Sequence, residues 1–393
     1  MALLDSRWLP LLFLLCTTIL GPLLAVRLRL PIAVVLVLLG IGLGPAGIGL
    51  LKENNVVSFL SEFGFLVLLF MAGMEIDFDS LRTAGRSALW VPLLVVVGIF
   101  AIGIGGTRLL GLGGIGALVI AAMSVGMPLA VLKETAQDTA PLGRHVMLTA
   151  SLGEFFCILG ITAVELLSTG SLGLHTVVHI LKVTALFVLS TLVIRWVRAL
   201  VWWHPEPLRR LIGHHDVAEL GVRVGLAIML FFVVMSAIAG VEAILGAFIG
   251  GALLGVVLRQ KHALEAKIAA LGNGLFIPIF FIVVGMRFDA RALDLPSVRR
   301  ALVIAAVAGI AKTIPSLLFA SRGMGLRTRL AAGFLLSSPL TLVVAIAAIG
   351  RNLGLVDGQT QASLVLSGVL VSIVFPTLFK LLVRNTEPAR SGT

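Results

Sequence analysis

The sequence predicts an all-α polytopic membrane protein of about 13 transmembrane helices, built as two inverted-topology repeats with discontinuous helices. Three observations predict it: extreme apolar content, a motif that recurs at a fixed offset, and prolines inside two matched apolar runs. Hydrophobic residues make up 59% of the chain and charged residues 12%, with a mean hydropathy of +1.12. A soluble globular chain is about 45–50% apolar and about 25% charged. Here the apolar runs recur about every 30 residues from end to end, each long enough for a spanning helix. A soluble enzyme carrying a single anchor is excluded.

The candidate spans lie at about 8–26, 31–49, 56–74, 87–107, 113–132, 145–167, 173–195, 221–239, 242–258, 271–286, 299–320, 328–350 and 362–383. The first is too long for a signal-peptide core and is read as a retained span. The turn between the eighth and ninth, around Gly240, must be tight. The net charge of +11 would raise nucleic acid as a partner in a soluble protein. Here the Lys and Arg sit in short segments between apolar runs, so they read as a topology signal and nucleic acid is set aside. With the N-terminus outside, 20 of the 30 Lys and Arg fall in inner segments and 8 in outer ones. That bias predicts N-out and C-in. The one discordant stretch is the outer cluster at 287–300. Trp8, Trp90, Trp196, Trp202 and Trp203 fall at run ends, as an aromatic belt requires. Cys16 and Cys157 lie within apolar runs and give neither a disulfide framework nor metal spacing.

The third span ends in Gly73-Met74, followed by Asp77 and Leu81; the tenth ends in Gly285-Met286, followed by Asp289 and Leu293, at a constant offset of 212. The fifth span carries Ser124-Val125-Gly126-Met127-Pro128-Leu129 and the twelfth Ser337-Ser338-Pro339-Leu340-Thr341, with the prolines 211 apart. Matched segments are seven spans apart. Seven is odd, so the second copy enters the membrane in the opposite direction. The organisation expected is an extra N-terminal span (1–30), a first repeat (31–200), a cytoplasmic linker (201–220), a second repeat (221–385) and a short cytoplasmic tail (386–393). Pro128 and Pro339 remove a backbone donor in mid-run and clash with the preceding turn. Gly126 loosens the first break; Ser337 and Ser338 can bond the backbone freed at the second. A lone proline would signify a kink. Two in corresponding places point to paired discontinuous helices at a binding site, with helix-end partial charges of both signs near the midplane.

Ionisable residues deep in a span are costly and each is a functional candidate. Glu154, near the middle of the sixth span, is the first choice as ion and proton carrier. A carboxylate can hold a dehydrated cation or a proton but not easily both, and partial desolvation moves its titration towards neutrality. The alternative is a structural carboxylate held by Lys312, near the middle of the eleventh span. Lys312 would either balance Glu154 or neutralise helix-end carbonyls. Ser151, one turn before Glu154, either supplies a hydroxyl ligand or bonds its own helix. Glu62 and Asp77 are possible accessory groups, with Glu62 and Glu242 read first as structural. His214 and His215 lie in the polar connection at 196–220, either as pH sensors or as solvated loop residues. The glycines at 103–106 and 111–116 read as packing or turn glycines.

Four segments together resemble the monovalent cation/proton antiporter superfamily, in the branch of Kef-type potassium/proton and Nap-type sodium/proton antiporters. They are LGIGLGPAGIGLL (39–51), SEFGFLVLLFMAGMEIDF (61–78), LGAFIGGALLG (245–255) and FIPIFFIVVGMRFD (276–289). The resemblance covers about residues 8–385. It implies about thirteen spans, a mobile core domain, a dimerisation domain and hence a homodimer. It also implies crossed, broken helices at the fifth and twelfth spans, in a sodium/proton antiporter-like fold. An essential carboxylate follows a Gly-Arg-type segment in such antiporters, and GRHVMLTASLGE places Glu154 there. Relatives usually carry Asp at that position, preceded by Asp, Asn or Gln; this chain has Gly153-Glu154. Lys312 corresponds to the lysine of a core family helix. Kef-type relatives often have a Glu beside the twelfth-span break, where this chain has Ser337-Ser338-Pro339, and their C-terminal nucleotide-binding domain is not expected here.

The function expected is exchange of Na⁺ or K⁺ for H⁺ by alternating access, with cation and proton competing for Glu154. Ser124, Ser151, Ser338 and Thr341 would complete the cation's shell. No cofactor is expected, and no metal beyond the transported cation. The expected setting is a bacterial inner membrane and the expected role pH homeostasis. The alternatives are a sodium-coupled organic solute symporter of the same architecture, which needs a wider and more polar cavity, and a channel-like component. Neither a His-Glu-x-x-His zinc motif nor paired catalytic Asp residues point to an intramembrane enzyme.

Overall fold

A computed structural model of the chain describes residues 8–28, 30–75, 85–137, 140–168, 219–239, 243–257, 262–288 and 294–384, with scattered residues between 178 and 195. Every regular element among them is helical. In chain order these are α1 (Trp8–Leu28), α2 (Ile32–Leu43), α3 (Asn55–Glu75), α4 (Gly85–Leu110), α5 (Gly113–Ala121), α6 (Gly126–Glu134), α7 (Pro141–Ser168), α8 (Leu220–Ala239) and α9 (Ala243–Val257). There follow α10 (His262–Leu271), a π-helical turn (Gly272–Phe276), α11 (Ile277–Met286), α12 (Leu295–Ser316), a 3₁₀ turn (Leu317–Arg322), α13 (Leu326–Leu336), α14 (Leu340–Asn352) and α15 (Gly358–Arg384). Among the described residues nine helical stretches, with α5–α6 and α10–α11 each taken as one, are long and apolar enough to cross a membrane, and α13 with α14, bent by 41° at their break, qualify as a pair. Most of the expected seventh span, the connection carrying His214 and His215, Glu242 and Asp77 lie outside the described residues.

Three spans differ from their sequence-based limits. The expected span at 31–49 is a helix only to Leu43. Beyond it Gly44 and Pro45 open a turn in which Ile48 N–H donates to Gly42 O and Gly49 takes a φ of +74°, a conformation that favours glycine. The tenth span is longer than 271–286 and begins at His262. Its π-helical turn runs up to the residue before Ile277-Pro278. The proline cannot donate to Gly274 and its ring pushes that carbonyl aside, which the wider turn accommodates. In the fifth span the break is Ala122–Val125, so Gly126 and Pro128, expected at the break, lie in the first turn of α6 beyond it. A first-turn proline is compatible with a helix because its missing N–H had no intrahelical partner. Pro339 sits inside its break, as the residue before α14.

The described helices group into two compact units, each drawing on both halves of the chain. The first holds α1, most of α2, α3 and α8–α11; the second holds α4–α7 and α12–α15. In the first, helices meet at backbone contact. A Cβ at Gly73 would fall 2.2 Å from Phe248 O and 2.8 Å from Ala252 N; one at Gly285 would fall 2.1 Å from Val37 O and 2.9 Å from Gly40 Cα. So α3 meets α9 as α11 meets α2, and the 212-residue offset carries Gly40 onto Ala252. Where the surroundings are as apolar as the side chains, such close approach and its dispersion contacts hold helices together. In the second unit a buried cluster joins Val95 and Ile99 of α4, Met123 and Val125 of the break, Leu132 of α6, Val146 of α7, Phe319, Leu335 and Leu336, and Phe379 of α15.

Candidate functional site

The break in the fifth span sits in the second unit, and its free backbone ends are met by side chains of opposite charge. Ala122, at φ −51° and ψ 132°, turns the chain out of α5. The last carbonyls of α5 and the first N–H groups of α6 then lack helical partners. Lys312 of α12 donates from Nζ to Ile120 O at 2.9 Å. Cys157 of α7 donates from Sγ to Ala121 O at 3.7 Å. On the far side of the break, Val125 N–H donates to Glu154 Oε2 at 3.0 Å. The ammonium therefore stands at a helix C-terminus and the carboxylate at a helix N-terminus, each where the peptide dipoles favour its sign. Lys312 is 1% exposed and Glu154 4%. Charges so buried persist only when hydrogen-bonded.

The twelfth-span break, Ser337–Pro339, is closed by its own hydroxyls. Ser337 Oγ donates to Gly333 O at 2.7 Å and Ser338 Oγ to Leu335 O at 2.8 Å. Pro339 offers its carbonyl to Val343 N–H, starting α14. α14 packs on α5, where Gly350 leaves space for Ile115, while α6 and α13 share the buried cluster described above. The halves of the two broken spans are thus brought together within one unit. Ser124 and Ser151 are buried beside them, and Thr341, in the first turn of α14, is half-buried. Their hydroxyl oxygens, one carboxylate and backbone carbonyls are hard donors of the kind a monovalent cation accepts, and soft or imidazole ligands suited to transition metals do not converge among the described residues.

Glu62 is not with this group. It lies exposed on α3 in the first unit, where its charge acts on Arg287. The Arg287 guanidinium holds Glu53 in a bidentate pair, with Nε to Oε1 at 3.0 Å, and Ser58 Oγ donates to the same carboxylate at 2.6 Å. The Arg287 hydrogen bond holds the Glu53 carboxyl below the usual carboxylate range, and Arg287 is raised in return. The discordant basic stretch is thereby partly neutralised: Arg300 Nη1 also donates to Thr360 Oγ1 at 3.1 Å, beside Asp294 and Asp357, whose carboxyls are lowered chiefly by hydrogen bonds from Ser297 and Thr360. A folded-state pKa below the unfolded value gives stability that is present above about pH 4.3 and lost as pH falls through the lowered value. Both partners are partly exposed, so the pair contributes about 0.5–1 kcal/mol. In thermal unfolding in detergent, Glu53→Gln is expected to lie below the wild type by about that amount at pH 7, and to match it once the wild-type carboxyl is protonated.

Sequence reasoning missed two contributors to the first break. Cys157 is given no role there beyond its place in an apolar run, and Met123 is not singled out. The three-residue spacing from Glu154 to Cys157 on one helix was the available signal for the first; for the second, the only signal was a glycine next to the carboxylate.

A polytopic apolar chain with two broken spans and a buried carboxylate and ammonium at the ends of one break has the build of a secondary transporter. The family model described as sodium/hydrogen exchanger, transmembrane, matches residues 13–385, and the chain belongs to that family; it is a transporter and not an enzyme. It is 28% identical over 349 residues to the probable Na⁺/H⁺ antiporter 3 of Methanocaldococcus jannaschii, covering 86% of each chain. It is 26% identical to the Na⁺/H⁺-K⁺ antiporter GerN of Bacillus cereus, over 94% of each chain. It is 25% identical to the glutathione-regulated potassium-efflux system protein KefC of Klebsiella pneumoniae, over 94% of this chain and 59% of that one. The fold is similar to that of the sodium proton antiporter MjNhaP1 from Methanocaldococcus jannaschii, with a TM-score of 0.64 and 15% identity over 94% of this chain and 95% of that one. The chain is an integral membrane protein.

Proposed function

We propose that the chain exchanges Na⁺ or K⁺ for H⁺ by alternating access, with cation and proton competing for Glu154. The observation that carries this reading is the buried Glu154 carboxylate at the N-terminus of α6, on the far side of the fifth-span break, bonded to Val125 N–H. That bond engages one carboxylate oxygen as an acceptor. A dehydrated cation would join the carboxylate, with Ser124, Ser151, Ser338 and Thr341 oxygens and backbone carbonyls as further ligands. A proton arriving at Glu154 removes the charge that held the cation, so each ligand drives the other off. Ser338 spends its hydroxyl proton on Leu335 O and keeps lone pairs for a cation. Lys312 stays as a fixed charge on the α5 carbonyls and takes no part in the competition.

The mirrored contacts of Gly73 and Gly285 support two inverted copies, 31–200 and 221–385, joined at 201–220. Inverted repeats with discontinuous helices are the architecture of many alternating-access transporters. The charge bias supports N-out and C-in, and relatives named as Na⁺/H⁺ antiporters of an archaeon and a bacterium suit a prokaryotic membrane; a homodimer in a bacterial inner membrane that serves pH homeostasis completes the reading.

Purified chain in proteoliposomes, with a pH dye inside, tests the exchange. An outward Na⁺ or K⁺ gradient should acidify the lumen, and reversing the gradient should reverse the sign. Cation uptake with no proton movement at any pH would overturn the reading in favour of symport.

A further inference from the structure

Met123 lies within the four-residue break and is fully buried. Its side chain rests on Gly153 of α7: a Cβ built at Gly153 would fall 2.1 Å from the Met123 Cε and 2.6 Å from its Sδ. Gly153 immediately precedes Glu154, and Glu154 holds Val125, two residues beyond Met123. The non-helical stretch is thus pinned to α7 at two adjacent points, one apolar and one charged. Ser124, one of the hydroxyls proposed above as a cation ligand, lies between Met123 and Val125 and so between those points. A stretch without a helical hydrogen-bond ladder takes its position from what packs on it, so the thioether sets how far the break stands from α7.

We propose that Met123 is a specificity-determining residue, its thioether fixing the size of the cation site beside Glu154. The proposal rests on the exchange reading above. The distance between break and helix fixes the distance between the oxygens each contributes, and a smaller cation needs those oxygens closer. Removing the thioether leaves a void next to a charged carboxylate and hydroxyls. A void with polar partners takes up water, and it then admits a larger or partly hydrated ion. The void exists only because residue 153 has no Cβ, so the methionine and the glycine form one device. Methionine is flexible and adaptable, which makes the resulting preference graded rather than absolute.

The test uses the full chain in proteoliposomes and the apparent KM values for Na⁺, K⁺ and Rb⁺ from cation-driven proton flux. Met123→Ala should lower the ratio of KM for Rb⁺ to KM for Na⁺ by about fivefold, below the about 10-fold or more that one methylene makes in a rigid pocket because the methionine is adaptable. Met123→Leu, which keeps the volume, should leave the ratio within about twofold. Adding Gly153→Ala to Met123→Ala returns a methyl to the vacated space and should restore part of the preference. Damage to the fold alone would slow all three ions alike and leave the ratio where it was. If Met123→Ala does not reach the membrane, Gly153→Ala alone decides: its methyl must displace the thioether, and the ratio must move. An unmoved ratio in a variant whose flux still depends on Glu154 overturns the proposal. Flux that survives Glu154→Gln overturns instead the exchange reading beneath it.

Discussion

Glu154→Gln is expected to abolish cation-driven proton flux, by at least about 100-fold, while the protein still folds. The two results belong together. Glutamine has the shape of glutamic acid, and its amide oxygen can still accept from Val125 N–H, so the break keeps its anchor. What it loses is the charge and the titrating proton. A cation stripped of water in a medium of low dielectric loses several kcal/mol of attraction when a carboxylate becomes an amide, and every 1.4 kcal/mol is a factor of ten. Wild-type rate in Glu154→Gln would remove Glu154 from the proposed chemistry. Glu154→Asp is a finer probe: the side chain is one methylene shorter, so the carboxylate must give up Val125 N–H or draw the break towards α7. Retained but slower exchange is expected, with raised apparent KM. Melting curves recorded beside the flux separate chemistry from stability.

Lys312→Met should instead show itself first in stability. The ammonium is buried and donates to Ile120 O. Methionine fills much of the same volume but cannot donate, so that carbonyl loses its partner inside the protein. Such an orphaned group costs about 1–3 kcal/mol. Lys312→Ala adds a cavity and should cost more, about 3–5 kcal/mol in all. A lowered unfolding temperature in Lys312→Met, with residual exchange that still needs Glu154, is the outcome expected of a fixed counter-charge. Unchanged stability with complete loss of exchange would place Lys312 among the groups that change charge during transport.

The contrast between these two residues shows what could be read in advance. An ionisable residue in the middle of an apolar run is conspicuous, and Glu154 and Lys312 stood out for that reason. Their partners are backbone atoms, Val125 N–H and Ile120 O, and only the fold brings those near. The broken spans were visible as proline in mid-run, yet Pro128 pointed one turn too late, because proline is also at home in a first helical turn. Hydropathy placed α2 but overran its end, since a run of Gly, Leu and Ile keeps its apolar score through a turn that glycine geometry makes. Glu53 and Arg287 stand 234 residues apart, beyond any local pattern. The sequence halves suggested a joint at 201–220; the grouping into compact units cuts the chain elsewhere, because contact follows the crossing of helices and not their order.

That interleaving bears on how the protein is made. The chain passes from one unit to the other at Leu24, Val35, Asp79, Val164 and Arg287. During synthesis the first unit has all its helices only when Arg287 has emerged, and the second must wait for α15. Helices α4–α7 meanwhile sit in the bilayer with Lys312 and the Ile120 carbonyl still apart, so a nascent chain holds an uncapped break for the time needed to add well over a hundred residues.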